Sequence, residues 1–193
     1  MKGDADGSFQ AIVIGVSAGG INILKKILSE LPADFSIPVI IVQHRDPFSD
    51  DFLARYLNER SRLNVKEIDE NEYIHPGVVY IAPANYHVLV EEDRRFSLSI
   101  DRPVNFSRPS IDVLFESAAE VFQEQVIGLI LTGANCDGSY GLKKIKQYGG
   151  LALVQDPDTA EVPEMPKAAM AATEVDKVLR PEEIVPFLCG LAK

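Results

Sequence analysis

A nucleophile, a base and an orienting acid all fall at the ends of apolar runs in this 193-residue chain. Ser17 lies in Gly15-Val16-Ser17-Ala18-Gly19, a G-x-S-x-G elbow of the kind that exposes a serine hydroxyl between a strand and a helix. Glycines suit that turn because it is tight and the backbone must come close to a substrate. A helix starting just after the serine aims free N–H groups, those around Ala18 and Gly19, at a developing oxyanion. The same residues also read as a helix cap or a phosphate-cradling turn. The dinucleotide fingerprint G-x-G-x-x-G fails, because Ser17 stands in place of its second glycine. His44 follows the second apolar run, in Gln43-His44-Arg45. His75 precedes Pro76-Gly77 in a turn and His87 opens a hairpin strand, so both read as structural, with a place at the border of the cleft as the alternative for His87. Asp137 belongs to the turn Thr132–Gly138, where an aspartate either caps the next helix or holds a histidine in one tautomer. Cys136 beside it is a rival nucleophile with no base in its flank.

These residues need a scaffold that brings separate strand ends together, and the chain is patterned for one. Ala11 to Val16, Val39 to Val42, Val126 to Leu131 and Leu151 to Gln155 are short apolar runs rich in β-branched residues, as in buried parallel strands. Residues 64–68 form a weaker, mostly polar strand. Ile21, Leu24, Ile27, Leu28 and Leu31 recur at helical spacing, stopped by Pro32. Phe52, Leu53, Tyr56 and Leu57 share a helix face that Ser49 could cap. Pro109 opens a helix carrying Ile111, Leu114, Phe115, Ala118 and Phe122. A helix with Leu142 and Ile145, an Ala-rich helix over 167–172 and a last one over 181–191 complete the set. His87 to Glu91 and Arg95 to Ile100 read as an antiparallel hairpin around a charged, solvated turn. The expected fold is α/β: a doubly wound, mostly parallel sheet with helices on both faces and an antiparallel hairpin. In such sheets ligands bind outside the carboxyl ends of the strands, which is where Ser17, His44 and Asp137 lie. We read residues 1–10 as a tail and residues 11–193 as one catalytic domain.

Composition narrows the function. Apolar residues make up 46% of the chain, enough for one sizeable core. With 29 acidic and 19 basic residues the formal net charge is −10, which removes the field that attracts nucleic acid or anionic lipid. Two distant cysteines make no disulfide framework or zinc knuckle, and no apolar run is long enough for a membrane span or signal peptide. A cytoplasmic location without membrane insertion is expected.

The chain resembles the catalytic domain of the chemotaxis protein-glutamate methylesterases from Ile12 to about Leu188. IGVSAGG, VQHRDPF, PGVVYIAPANYH, RPSIDVLFESAA, GLILTGANCDGSYGL and VPEMPKAAM carry the likeness, in order and at matching spacing. The resemblance implies a Ser-His-Asp triad at Ser17, His44 and Asp137, an oxyanion amide near Ala134, and a site-bordering loop at Glu164-Met165-Pro166. It departs from the family at Ala18, where Thr is common, at Ala134-Asn135-Cys136, and at Arg45, where an aliphatic residue or Met is common. The implied activity is hydrolysis of glutamate γ-methyl esters on methyl-accepting chemoreceptors, and glutamine deamidation by the same route, with no metal or organic cofactor. Implied partners are the methylated cytoplasmic domains of chemoreceptors and a separate receiver protein, since only about ten residues precede the first strand. Alternatives are a serine esterase acting on another substrate, or a non-catalytic interaction module on the same fold. Arg45, with Arg55, Arg60 and Arg62 on the following helix, forms a candidate basic rim; a solvated helix face is the alternative.

Overall fold

The computed structural model describes residues 9–192, so most of the expected tail lies outside the described residues. The elements run β1 (Ala11–Val16), α1 (Gly20–Glu30), β2 (Val39–Gln43), α2 (Phe52–Asn58), β3 (Asn64–Glu67), β4 (Val78–Ile81), β5 (His87–Val90), β6 (Phe96–Ser99), α3 (Ile111–Phe122), β7 (Val126–Ile130), α4 (Ser139–Gln147), β8 (Leu151–Gln155), α5 (Glu164–Ala172), β9 (Lys177–Leu179) and α6 (Pro181–Leu191). Seven strands form a parallel sheet in the order β3-β4-β2-β1-β7-β8-β9. β5 and β6 pair separately as the antiparallel hairpin.

Every residue of β1, β2 and β7 is buried, which explains why these segments are apolar without alternation. Successive side chains still point to opposite faces. Ile12, Ile14 and Val16 meet one core with α1, α2 and α6. Ala11 and Val13 meet the other, with α3, α4, α5 and the hairpin. Leu24, Ile27 and Leu28 lie fully buried on the inner face of α1. Each such side chain contributes about 1.5–3 kcal/mol relative to exposure.

β1 and β7 are neighbours, yet α1 leaves β1 toward one face and α4 leaves β7 toward the other. That reversal opens a crevice above their carboxyl ends. Among the described residues no helix is long and apolar enough to cross a membrane.

The sequence reading missed β9, which is only three residues long and has Lys177 and Val178 exposed. α5 begins at Glu164, ahead of the Ala-rich stretch. α3 begins at Ile111 with Ser110 as its N-cap, so Pro109 precedes the helix. Ser49 does not cap α2; Asp50 Oδ1 accepts the Phe52 N–H instead, at 3.1 Å.

Candidate active site

Backbone hydrogen bonds stitch the loops after β1, β2 and β7 into one platform. Ser17 N–H donates to Thr132 O at 2.9 Å, and His44 N–H to Val16 O at 3.1 Å. Thr132 Oγ1 donates to Ala18 O at 2.8 Å. Gln43 makes the tightest link, because its Nε2 donates both to Ser17 O at 2.9 Å and to His44 O at 2.8 Å. One buried amide thus joins the backbones of the expected nucleophile and base. Two carbonyls demand the nitrogen on that side, so Gln43 Oε1 turns toward Gly20 and stays without a hydrogen-bond partner. A Cβ at residue 20 would stand 2.1 Å from that oxygen.

Ser17 and His44 line one open cavity of about 600 Å³. His44 Nε2 donates to Asp137 Oδ2 at 2.8 Å. An ionised carboxylate only accepts, so the proton sits on Nε2 and Nδ1 keeps its lone pair. The nitrogen left for a serine proton is therefore Nδ1. Among the described residues Ser17 Oγ makes no hydrogen bond.

Asp137 is held more firmly than a lone orienting acid. Its side chain has no exposed surface and accepts five hydrogen bonds. Oδ2 takes His44 Nε2 and, at 2.7 Å, Ile111 N–H; Oδ1 takes Ser110 Oγ at 2.7 Å, Asn105 Nδ2 at 3.1 Å and Asp112 N–H at 3.2 Å. Two donors are the first N–H groups of α3, so the carboxylate sits at the positive end of that helix. Burial alone would raise its pKa. The donors from His44, Ile111, Asn105 and Ser110 outweigh burial and hold it below the usual carboxylate value. The cap reading of this residue is thus corrected in one respect: Asp137 caps α3, whereas Gly138 is the N-cap of the helix that follows, α4.

Behind it lies a second buried carboxylate, Asp112, which accepts Gly141 N–H and Asn105 Nδ2, each at 2.7 Å. Burial pushes its carboxyl up, the Gly141 N–H opposes the rise, and the Asp137 charge adds to it. Asn105 bridges the two acids from a turn closed by reciprocal Val104–Ser107 hydrogen bonds, with Asn105 and Phe106 both at positive φ (49° and 62°). His87 is buried and supports the same corner: Nδ1 accepts Ser110 N–H at 3.1 Å and Nε2 faces Arg102 O at 3.2 Å. Asn105, Ser110 and Asp112 escaped the sequence reading, since polar residues in a loop and a helix's first turn carry no periodic signal.

The other expected site residues divide. Ala18 and Ala134 are exposed and Gly19 half-buried, and among the described residues their N–H groups find no acceptor. Met165 is fully buried. A Cβ at Gly133 would meet its Sδ at 1.9 Å and Ser17 Cβ at 2.9 Å, so Met165 supports the platform from beneath. Arg45 is half-buried: its two Nη groups reach Glu67, Ala82 O at 2.9 Å and Asp50 O at 2.9 Å, while its buried Nε finds no partner among the described residues. It ties the ends of β2, β3 and β4 together where a substrate contact was expected. Cys136 is a free, exposed thiol that does not line the serine cavity. Among the described residues no group of three or more His, Cys, Asp or Glu could hold a metal ion.

Known proteins are similar to this chain along nearly its whole length. A family model described as CheB methylesterase matches residues 12–188. Two Leptospira interrogans proteins, provisionally named protein-glutamate methylesterase/protein-glutamine glutaminase, are 58% identical over 184 residues, 95% of each chain. The Archaeoglobus fulgidus protein of that name is 42% identical over 92% of this chain and 53% of its own length. The crystal structure of the Thermotoga maritima CheB methylesterase catalytic domain matches with a TM-score of 0.92 and 36% identity, over 95% of this chain and 99% of that one. The chain therefore belongs to the CheB methylesterase family and is a carboxylic-ester hydrolase.

Proposed function

We propose that this protein hydrolyses glutamate γ-methyl esters on the cytoplasmic domains of methyl-accepting chemoreceptors through a Ser17–His44–Asp137 relay. The observation that carries the reading is the His44 Nε2–Asp137 Oδ2 hydrogen bond, which fixes the tautomer in a cavity shared with Ser17. Ser17 Oγ attacks the ester carbonyl carbon as His44 Nδ1 takes its proton. Asp137 stabilises the imidazolium. The N–H groups of Ala18 and Ala134, with Gly19 beside them, receive the oxyanion; losing one such donor typically costs about 10²–10³ in rate. Collapse expels methanol carrying the proton from His44. Water, deprotonated by His44, then attacks the acyl-enzyme and frees the glutamate carboxylate. The unmade Ser17–His44 hydrogen bond is compatible with this sequence, because such contacts tighten when substrate is bound.

Glutamine deamidation follows the same path with ammonia as the leaving group, a reading favoured by the paired activities in the relatives' names. Methanol release from methylated receptor by wild type and Ser17→Ala tests the proposal. Release that disappears with the hydroxyl supports it, and equal rates sink it.

A further inference from the structure

Hydrolysis by this route converts an uncharged side chain into a carboxylate inside the cavity, and that product must leave before another ester can enter. Selection against the free acid is therefore part of the task. The cavity wall holds a group that could do this. Of the described residues lining it, only Glu161 has an Asp, Glu, Lys or Arg side chain. Its carboxylate packs on the nucleophile elbow: a Cβ at Gly19 would lie 2.7 Å from Glu161 Cβ and 2.9 Å from Oε2. Among the described residues no Lys, Arg or His pairs with it; Lys26 shares a neighbouring hollow but forms no ion pair there.

We infer that Glu161 is a specificity-determining residue that makes the Ser17 cavity accept a neutral glutamyl ester or amide and reject the free carboxylate, both as competitor and as product. The inference rests on the esterase reading above and names how that site selects. An ester and an acid differ little in shape, so packing alone discriminates weakly, whereas a fixed like charge penalises only the wrong form. Glu161 is exposed, so screened Coulomb repulsion sets the size of the effect. Glu161 also opposes the tetrahedral oxyanion to some degree, so the ratio between neutral and anionic ligands is the informative quantity.

The test uses two serine-reactive fluorophosphonate probes, identical except for a side arm ending in a carboxamide or a carboxylate. Second-order rates of Ser17 labelling are compared for wild type, Glu161→Gln and Glu161→Asp. Wild type is expected to favour the carboxamide by about three- to tenfold at low ionic strength, with the ratio shrinking in about 0.5 M salt. Glu161→Gln brings the ratio close to one and Glu161→Asp keeps most of it. Neutralising exposed Glu124, on the turn before β7, leaves the ratio unchanged and separates a local charge from the protein's overall charge. Equal wild-type rates for both probes, or a ratio that survives Glu161→Gln, overturns the inference alone. Failure of both probes to label Ser17 overturns the esterase reading and this one with it.

Discussion

Asp137 performs two duties with one carboxylate: it orients His44 and it neutralises the positive end of α3. The acceptor pattern makes both depend on charge. In Asp137→Asn the amide presents N–H groups toward His44, Ile111, Ser110 or Asp112, all of which already donate. Activity is expected to fall by about 10⁴, as when an orienting acid is lost, with about 1–3 kcal/mol of stability. Ester hydrolysis and a denaturant midpoint check the pair; a fall in activity without loss of stability would separate the two duties. The pH dependence follows from the sign of the shift. Folding lowers the Asp137 pKa, so its contribution is complete above about pH 5 and fades as pH falls below the ordinary 3.8 toward the folded value. Asp137→Asn should therefore show a shallower loss of stability between about pH 5 and pH 3 than wild type. Gln43 offers a second check at this scale. Gln43→Leu keeps the volume but leaves the Ser17 and His44 carbonyls without their shared donor, so kcat should fall more than KM rises. Intact kcat would show that the platform holds without that amide.

At the scale of elements, close approach places the site as much as the strand ends do. Gly15 in β1 lets α3 settle on the sheet, since a Cβ there would lie 2.3 Å from Ile111 Cγ2. Ile111 carries the N–H that grips Asp137, so strand packing and the placing of that carboxylate meet at one residue. The two-residue turn beyond has another consequence. It points Asn105 inward and leaves Phe106 fully exposed at φ 62°, a conformation unfavourable for a bulky residue. Phe48, four residues past His44, is also almost fully exposed. Two bare aromatics on loops around the site fit contacts with a polypeptide substrate. Phe106→Gly should raise stability by up to about 1 kcal/mol while raising KM for receptor protein and leaving a small ester substrate unaffected. Equal KM values for receptor would remove Phe106 from the contact. The buried runs that became β1, β2, β7 and β8 were legible because burial on both faces demands unbroken apolar sequence. So were the positions of Ser17, His44 and Asp137 beyond the carboxyl ends of β1, β2 and β7, because each follows one of those runs. The Asn105 turn and β9 were not: one depends on a distant carboxylate and the other on backbone pairing to β8. The Arg45 partner was not legible either, since Glu67 lies 22 residues away at the end of another strand.

Across the whole molecule the charge is −10, and the basic residues near the site do little to offset it. Arg55 is paired with Asp51 at 2.8 Å and Arg60 with Glu59 at 3.1 Å, so two members of the expected rim are locally neutralised. Arg60 and Arg62 also lie beyond the end of α2 and do not share a helix face. If the substrate is an acidic helical receptor segment, encounter works against mutual repulsion and recognition depends on short-range contact. Added salt screens exposed charges beyond about 8–10 Å at physiological strength while leaving close contacts largely intact. The value of kcat/KM for an acidic receptor should therefore rise with salt, by about two- to fivefold between low and physiological ionic strength. A small neutral ester should show no such rise, because no long-range field acts on it. If salt instead lowers kcat/KM for receptor, attraction at the rim outweighs the net charge, and Arg62 becomes the residue to neutralise, since Arg45, Arg55 and Arg60 are already engaged.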